Sequence, residues 1–349
     1  MKRSGVRAIL LCLLLAPAAG CGRPAPEVYK TQLMTLGTIV DISLWGVDDA
    51  RAQQAVKAVE NVLNEAHVRW HAWEPGMLTD LNRRLAAGET VPLTAEDAAS
   101  LRQAQQLARD GDELFNPAIG RLIALWGFHS DDPPLGPPPA PEEIRRLVEA
   151  RPSMDDLVFD GDGVRSVNPA LQLDMGGSHK GYAVDKAIDA LRALGISNAI
   201  VNAGGGLHAI GAHGDRPWRV GIRHPAKPGI IASLQIRGDE SVHTAGNYER
   251  YFDYQGRRYH HILDPRSGYP AEGVLSVTVV HPDGTVADAA DDALFVAGVA
   301  GWKEIARRMG LTQVMLIDAD MTVHMTPEMA ERIRMEIDPP PSIVVEAPG

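Results

Sequence analysis

The stretch Val286–Val296 restricts the fold more than any other part of this chain. Val286-Ala287, Ala289-Ala290 and Ala293-Leu294-Phe295-Val296 leave a helix there no solvated face, so it belongs in the interior, between other layers. Asp288, Asp291 and Asp292 nevertheless crowd its first turns, at helical spacings that put their carboxylates on one side. Like charges so placed repel, and the dipole at the helix N-terminus offsets the repulsion only in part. A hard divalent cation with oxygen ligands, Mg²⁺ or Ca²⁺ by type, resolves the conflict. An acidic first turn favoured by the dipole alone is the plainer alternative.

The elements around this helix read as hairpins with helices laid across them. Tyr29–Trp45 alternates as a strand pair broken at Leu36-Gly37-Thr38, and Ala52, Ala55, Val56, Val59, Leu63 and Ala66 mark a helix over Asp48–Val68. An aromatic and polar loop, Trp70-His71-Ala72-Trp73, leads into Leu78–Leu85; a further helix is expected over Ala95–Arg109 with Thr94 and Asp97 as a capping-box variant, and apolar periodicity returns in Glu142–Ala150. Asn116 with Pro117 predicts the start of another, Ala118–Trp126. Leu157–Asp160 and Val164–Val167 form a hairpin, Leu171–Asp174 reads as a strand and Tyr182–Leu194 as a helix. Strands then follow at Ala199–Ala203, Leu207–Gly211, Trp218–Arg223, Ile231–Ile236, Tyr248–Tyr254, Arg257–Leu263 and Ser276–His281. After Val286–Val296 come a separate helix Lys303–Met309 and the strands Gln313–Ile317 and Met321–Met325. This order predicts an α+β fold.

Stability must come from burial, because the two cysteines, Cys12 and Cys21, both lie at the N-terminus. Residues 1–20 have the form of an export signal: Lys2, Arg3 and Arg7, the apolar run Ile9–Ala16, then Ala18-Ala19-Gly20 before Cys21. A cysteine in that place resembles a lipobox, which makes Cys21 the expected lipidation site and the protein an exported, membrane-anchored lipoprotein on the periplasmic side. Residues 21–30 are then a tether, 31–335 the folded domain and 336–349 a tail; Ser130–Pro141 is a Pro-rich surface excursion. The formal net charge is −11 and becomes more negative without the signal, which speaks against nucleic acid as a partner.

Three further stretches carry chemistry. His260-His261-Ile262-Leu263-Asp264-Pro265 through Pro270 sets an imidazole pair at a strand end, where a turn presents a group able to exchange a proton near neutral pH. A surface hairpin with two solvated rings is the alternative. Asp174-Met175-Gly176-Gly177-Ser178-His179-Lys180-Gly181 leads through glycines into a helix N-terminus beside a lysine, a cradle for an anion or a simple strand-to-helix turn. Gly204–Gly206 is a second place where backbone can approach a ligand or merely turn. His243, His260, His261 and His281 lack the spacing of zinc ligands. An anion turn, a carboxylate cluster, aromatic loops and a base are together the components of metal-assisted phosphoryl transfer.

The segments DMGGSHKGYAVD, GGG, TAGNYERYF, YHHILDPRSGYP, SVTVV and ADAADDALFVAG, with LGTIVDI and FNPAIGRLIALWGF before them, resemble in order and spacing the ApbE-type FAD:protein FMN transferases. The resemblance covers nearly all of the chain after the signal. It implies a T-fold-like α+β architecture, antiparallel sheets with packed helices and an FAD cleft between two interlocked subdomains. It implies Mg²⁺-dependent transfer of FMN from FAD to a threonine of a partner, with release of AMP. The expected acceptor is a membrane redox subunit carrying a Ser/Thr-Gly-Ala-Ser/Thr-x-Thr motif. By position, His261 matches the catalytic histidine, Asp288, Asp291 and Asp292 match metal ligands, and Gly177 matches a carbonyl ligand. Leu36, Trp73, Leu114, Phe115, Asn116, Asp174, Lys180 and Leu263 match FAD contacts. Four positions depart from the usual pattern: Asp292 replaces threonine, Leu36 methionine, Trp73 tyrosine and Asn116 aspartate. The same residues would serve an FAD pyrophosphatase giving FMN and AMP, and a non-catalytic flavin-binding lipoprotein is a third reading.

Overall fold

The structure is a computed structural model that describes residues 27–129, 134, 136–236 and 238–349. The signal, Cys21, most of the tether and residues 130–133 and 135 of the Pro-rich excursion lie outside the described residues. In chain order the elements are β1 (Val28–Thr35), β2 (Thr38–Trp45), α1 (Asp49–Trp70), α2 (Met77–Ala86), β3 (Val91–Pro92), α3 (Ala95–Asp110), α4 (Gly120–Leu125) and α5 (Pro141–Glu149). There follow β4 (Leu157–Asp160), β5 (Gly163–Ser166), α6 (Gly176–Ala193), β6 (Ala199–Ala203), β7 (Gly206–Gly211), β8 (Trp218–Arg223), β9 (Ile230–Ile236) and β10 (Gly238–Gly246). The rest are β11 (Tyr251–Tyr254), β12 (Arg257–His260), β13 (Val274–His281), α7 (Gly284–Arg308), β14 (Val314–Asp318), β15 (Val323–Met325), α8 (Pro327–Arg332), β16 (Arg334–Met335) and β17 (Ile343–Val345).

A nine-stranded sheet in the order β1-β2-β6-β7-β10-β13-β14-β15-β17 is the frame. Its pairs are antiparallel except β15–β17, which brings residues 343–345 of the tail into the sheet. Strand alternation sends successive side chains to opposite faces. On β10, Val242 joins a core beneath the sheet with Trp218, Ile231 and Leu234 of the three-stranded sheet β16-β9-β8. Ser241, His243 and Ala245 point the other way, toward a helical layer built from α1, α6 and α7. The molecule is therefore α+β in three layers, with the middle sheet covered on both faces.

Gly181 lets α6 and α7 touch: a Cβ there would lie 2.1 Å from the carbonyl oxygen of Gly284. The buried helix expected at Val286–Val296 is present, with Ala287, Ala290, Ala293, Leu294 and Phe295 buried, but it runs on to Arg308. The expected separate helix Lys303–Met309 is the second half of α7, beyond a kink where Gly298 takes φ 67° and ψ −177°, a conformation glycine adopts at no steric cost.

Three other expectations need correction. Leu171–Asp174 is not a strand; it is held by a single bridge between Gln172 and Ile119 and by the Asn82 amide, which bonds Leu173 at both N–H and C=O. The helix after Pro117 starts only at Gly120, because the Asn116 side-chain Oδ1 accepts from Ala118 N in a local turn instead of capping a helix. And α6 begins at Gly176, not at Tyr182, so the two glycines form its first turn. β10, the fifth strand of the sheet, was absent from the strands expected.

Candidate active site

A cavity of about 470 Å³ opens between the helical layer and the aromatic unit formed by α4, α5 and the hairpin β11–β12. It is walled by the β1–β2 turn, the end of α1, the Leu114–Pro117 turn, the starts of α6 and α7, β10 and the loop after β12. Every residue matched to a catalytic, metal or FAD-contacting position lines it: His261, Asp288, Asp291, Asp292, Gly177, Lys180, Asp174, Leu36, Trp73, Leu114, Phe115, Asn116 and Leu263. Stretches far apart in the chain are thus brought to one place.

His260 and His261 separate sharply. His260 is buried under Phe295, its Nε2 donating to Ala271 O at 2.8 Å and its Nδ1 accepting from Ile262 N. That ring is structural. His261 lies 3.2 Å through Nδ1 from Arg250 O, an acceptor, so Nδ1 carries the proton and Nε2 keeps its lone pair. Burial, with the charges of Arg250 and Lys180 nearby, pushes its pKa down to about 3, so the ring is neutral near pH 7. The loop that follows is held by Gly268 N on Asp264 O and by Trp126 Nε1 on Gly268 O, both at 2.8 Å.

The carboxylates differ from one another. Asp288 accepts from Gly181 N at 2.9 Å and from His243 Nδ1 at 3.2 Å. Burial alone would raise its pKa, but His243 and Lys180 outweigh this and hold it below the usual carboxylate range. Asp291 is pushed well above that range by burial and by its two acidic neighbours. Asp292 is pushed up to about 7 by burial and by Asp288, with Lys180 opposing. Lys180 is raised in turn, the three carboxylates outweighing burial. Its ammonium therefore stays charged against the cluster.

This cluster fits a hard dication. All its side-chain donors are oxygens, and three buried carboxylates that cannot all ionise together gain from a cation among them. The fit extends to the backbone: a Cβ on Gly177 would lie 2.4 Å from Asp292 Oδ2, so that carboxylate packs directly on the first turn of α6. Asp292 thus turns toward the cluster. Asp174, also raised by burial, accepts from Gly176 N at 2.9 Å and stands under the same turn. Asn116 is engaged at both ends of its amide, Nδ2 donating to Pro152 O, so it offers the cavity mainly shape.

His243 was not singled out as a functional residue. It is 1 % exposed, it touches Asp288, and its Nε2 has no partner among the described residues. Its ring fills the space above Gly206, where a Cβ would come within 2.4 Å of it. The signal was available in the Val-His-Thr-Ala-Gly stretch, but the strand carrying it was not read. Trp70, 4 % exposed, and Trp73 complete the aromatic wall at the end of α1.

The sequence profile of the ApbE family matches residues 36–316. The FAD:protein FMN transferase of Rhodobacter capsulatus is 42% identical over 333 residues, which cover 93% of this chain and 62% of that protein. The chain therefore spans less than two thirds of that relative's length. The FAD:protein FMN transferase of Klebsiella pneumoniae is 34% identical over 282 residues, 78% of this chain and 84% of its own. Among solved structures, the ApbE protein of Thermotoga maritima superposes with a TM-score of 0.81 at 29% identity, over 88% of this chain and 100% of that one. The apo flavinyl transferase ApbE of Pseudomonas stutzeri gives 0.77 at 29% identity, over 88% and 97%.

Proposed function

The chain belongs to the ApbE family, and from that membership we propose that it is an FAD:protein FMN transferase. On this reading it moves FMN from FAD to a threonine hydroxyl of a partner protein and releases AMP, with Mg²⁺ as its metal ion. The observation that carries the reading is the meeting of His261, Lys180 and three carboxylates in one cavity.

The chain's own groups account for the steps. His261 Nε2 accepts the threonine proton, and its neutral form is the one present near pH 7. The threonine oxygen forms a bond to the FMN phosphorus as the bond from that phosphorus to the AMP oxygen breaks, and AMP leaves with the electron pair. Lys180 sets a cation beside the phosphates. Leu36, Trp73, Phe115 and Leu263 supply flat and apolar wall for the ring systems. Asp288, Asp291, Asp292 and the Gly177 carbonyl would hold Mg²⁺, which when bound neutralises phosphate charge.

The reading extends to location and partner: an exported protein anchored through Cys21, acting on a membrane redox subunit with a Ser/Thr-Gly-Ala-Ser/Thr-x-Thr motif. The N-terminal sequence supports the anchor. Among the described residues no helix is long and apolar enough to cross a membrane. The test is incubation of the chain lacking its signal with FAD, Mg²⁺ and a small protein bearing the motif, followed by intact mass. A gain of one FMN, lost with chelator and with His261→Ala, is expected. Free FMN and AMP without a mass gain would mean hydrolysis instead, and unaltered FAD would mean a binding protein.

A further inference from the structure

A donor set of a different kind stands at the rim of the same cavity, two of its three residues in the wall. His67 and His71 are one turn apart at the end of α1, a spacing that stacks side chains on one face of a helix. Ligand atoms of His67, His71 and Glu74 all lie within 4.8 Å of one another. The two rings meet edge to face with centroids 4.8 Å apart, and both line the cavity. We propose that His67, His71 and Glu74 bind a transition-metal dication of the zinc class, at a site separate from the carboxylate cluster.

The chemistry of the two clusters differs in kind. Imidazole suits zinc, copper and nickel, whereas carboxylate and carbonyl oxygens suit magnesium. Two histidines and one carboxylate are a set with which zinc is held by three protein ligands and keeps one position open. The loop after α1 already folds back over the helix end, because Glu74 N donates to His71 Nδ1 at 3.0 Å. That is what brings the Glu74 carboxylate within reach. An ion held by His71 and the Glu74 carboxylate adds a link between the same two residues. Trp73 lies between two of the ligands, with its ring 4.7 Å from that of His71. An occupied site therefore fixes the segment that carries Trp73 into the cavity, whether or not that cavity holds a flavin.

The test titrates the metal-free protein with Co²⁺ in excess Mg²⁺, following visible ligand-field absorption, and then displaces Co²⁺ with Zn²⁺. One equivalent of Co²⁺ with a low-symmetry nitrogen and oxygen spectrum is expected. His67→Ala and His71→Ala should each weaken it about tenfold or more, Glu74→Gln should weaken it less, and Asp288→Ala should leave it intact. Melting curves of the variants separate loss of the site from loss of the fold, and the two histidine variants serve as independent checks. Absent Co²⁺ absorption, the same titration in His67→Ala, His71→Ala and wild type, or loss with Asp288→Ala alone would overturn the proposal. None of these readouts depends on flavin transfer.

Discussion

Gly206 and His243 face each other across the register of β7 and β10, and the ring of one fills the space a side chain on the other would need. The imidazole is thereby pressed onto Asp288, the one carboxylate of the cluster held below the usual range. Gly206→Ala should displace the ring, lower stability by about 1–3 kcal/mol as overpacking does, and raise the Mg²⁺ concentration needed for half-maximal transfer. A melting curve and a Mg²⁺ titration check both halves; unchanged Mg²⁺ dependence would mean that His243 does not act through Asp288. Asp288→Ala goes further, and should abolish Mg²⁺-dependent turnover at any Mg²⁺ concentration. Transfer that responds to Mg²⁺ as in wild type would remove Asp288 from the metal site.

At the scale of elements, the crossing of α6 and α7 decides where the site's charged groups stand. Gly181 is in contact with Gly284 backbone and its own N–H reaches Asp288, so a methyl there has nowhere to go but between two helices. Gly181→Ala should cost about 3 kcal/mol and open the spacing between Lys180 and the carboxylates. Chemical denaturation measures the first; loss of the FAD-binding signal at temperatures where the variant is folded measures the second.

The same elements show what could be read beforehand. Long periodic segments such as α1, α3 and the first half of α7 were legible, because one apolar stripe or an all-apolar run determines them. The hairpin β1–β2 was legible from its alternation. β10 was not, since Gly238-Asp239-Glu240-Ser241 opens it with residues typical of turns and only its neighbours on both sides make it a strand. The start of α6 was missed for a related reason: Gly176 and Gly177 are poor helix formers, and contact with the side-chain carboxylates of Asp292 and Asp174 holds them helical. Glycines there read as a flexible loop, and tertiary contacts override that preference. The acidic cluster Asp288, Asp291 and Asp292, the imidazole pair holding His261 and the glycine turn before Lys180 were legible from the residues alone, the flavin contacts only from family resemblance, while the roles of His67, His71 and His243 follow from the folded arrangement.

Across the whole molecule, one buried imidazole ties the layers together. His208 of β7 meets Asp185 of α6 at 2.5 Å through Nδ1 and Asp239 of β10 at 2.6 Å through Nε2. Asp185 also accepts from Gly284 N at 2.7 Å, at the start of α7. Both ring nitrogens face acceptors, and although burial opposes it, the two aspartates raise the pKa of His208. A folded pKa above the unfolded value of about 6.5 gives stability that is complete below that pH and is lost as pH rises through the folded pKa. The melting temperature should therefore fall as pH rises above about 6.5, and more steeply in wild type than in His208→Gln. Parallel curves would show that the pair of ion bridges carries no proton linkage.

The tryptophans at the end of α1 have a practical consequence. Trp70 and Trp73, two of the six in the chain, stand in the cavity wall, while Trp126 and Trp302 are sealed in the core. Indole emission overlaps isoalloxazine absorption, so a flavin in that cavity would quench the first pair most strongly. The polypeptide thus carries a built-in optical gauge of its own occupancy, by which arrival and departure of the yellow chromophore could be timed in a stopped-flow cell without any added dye.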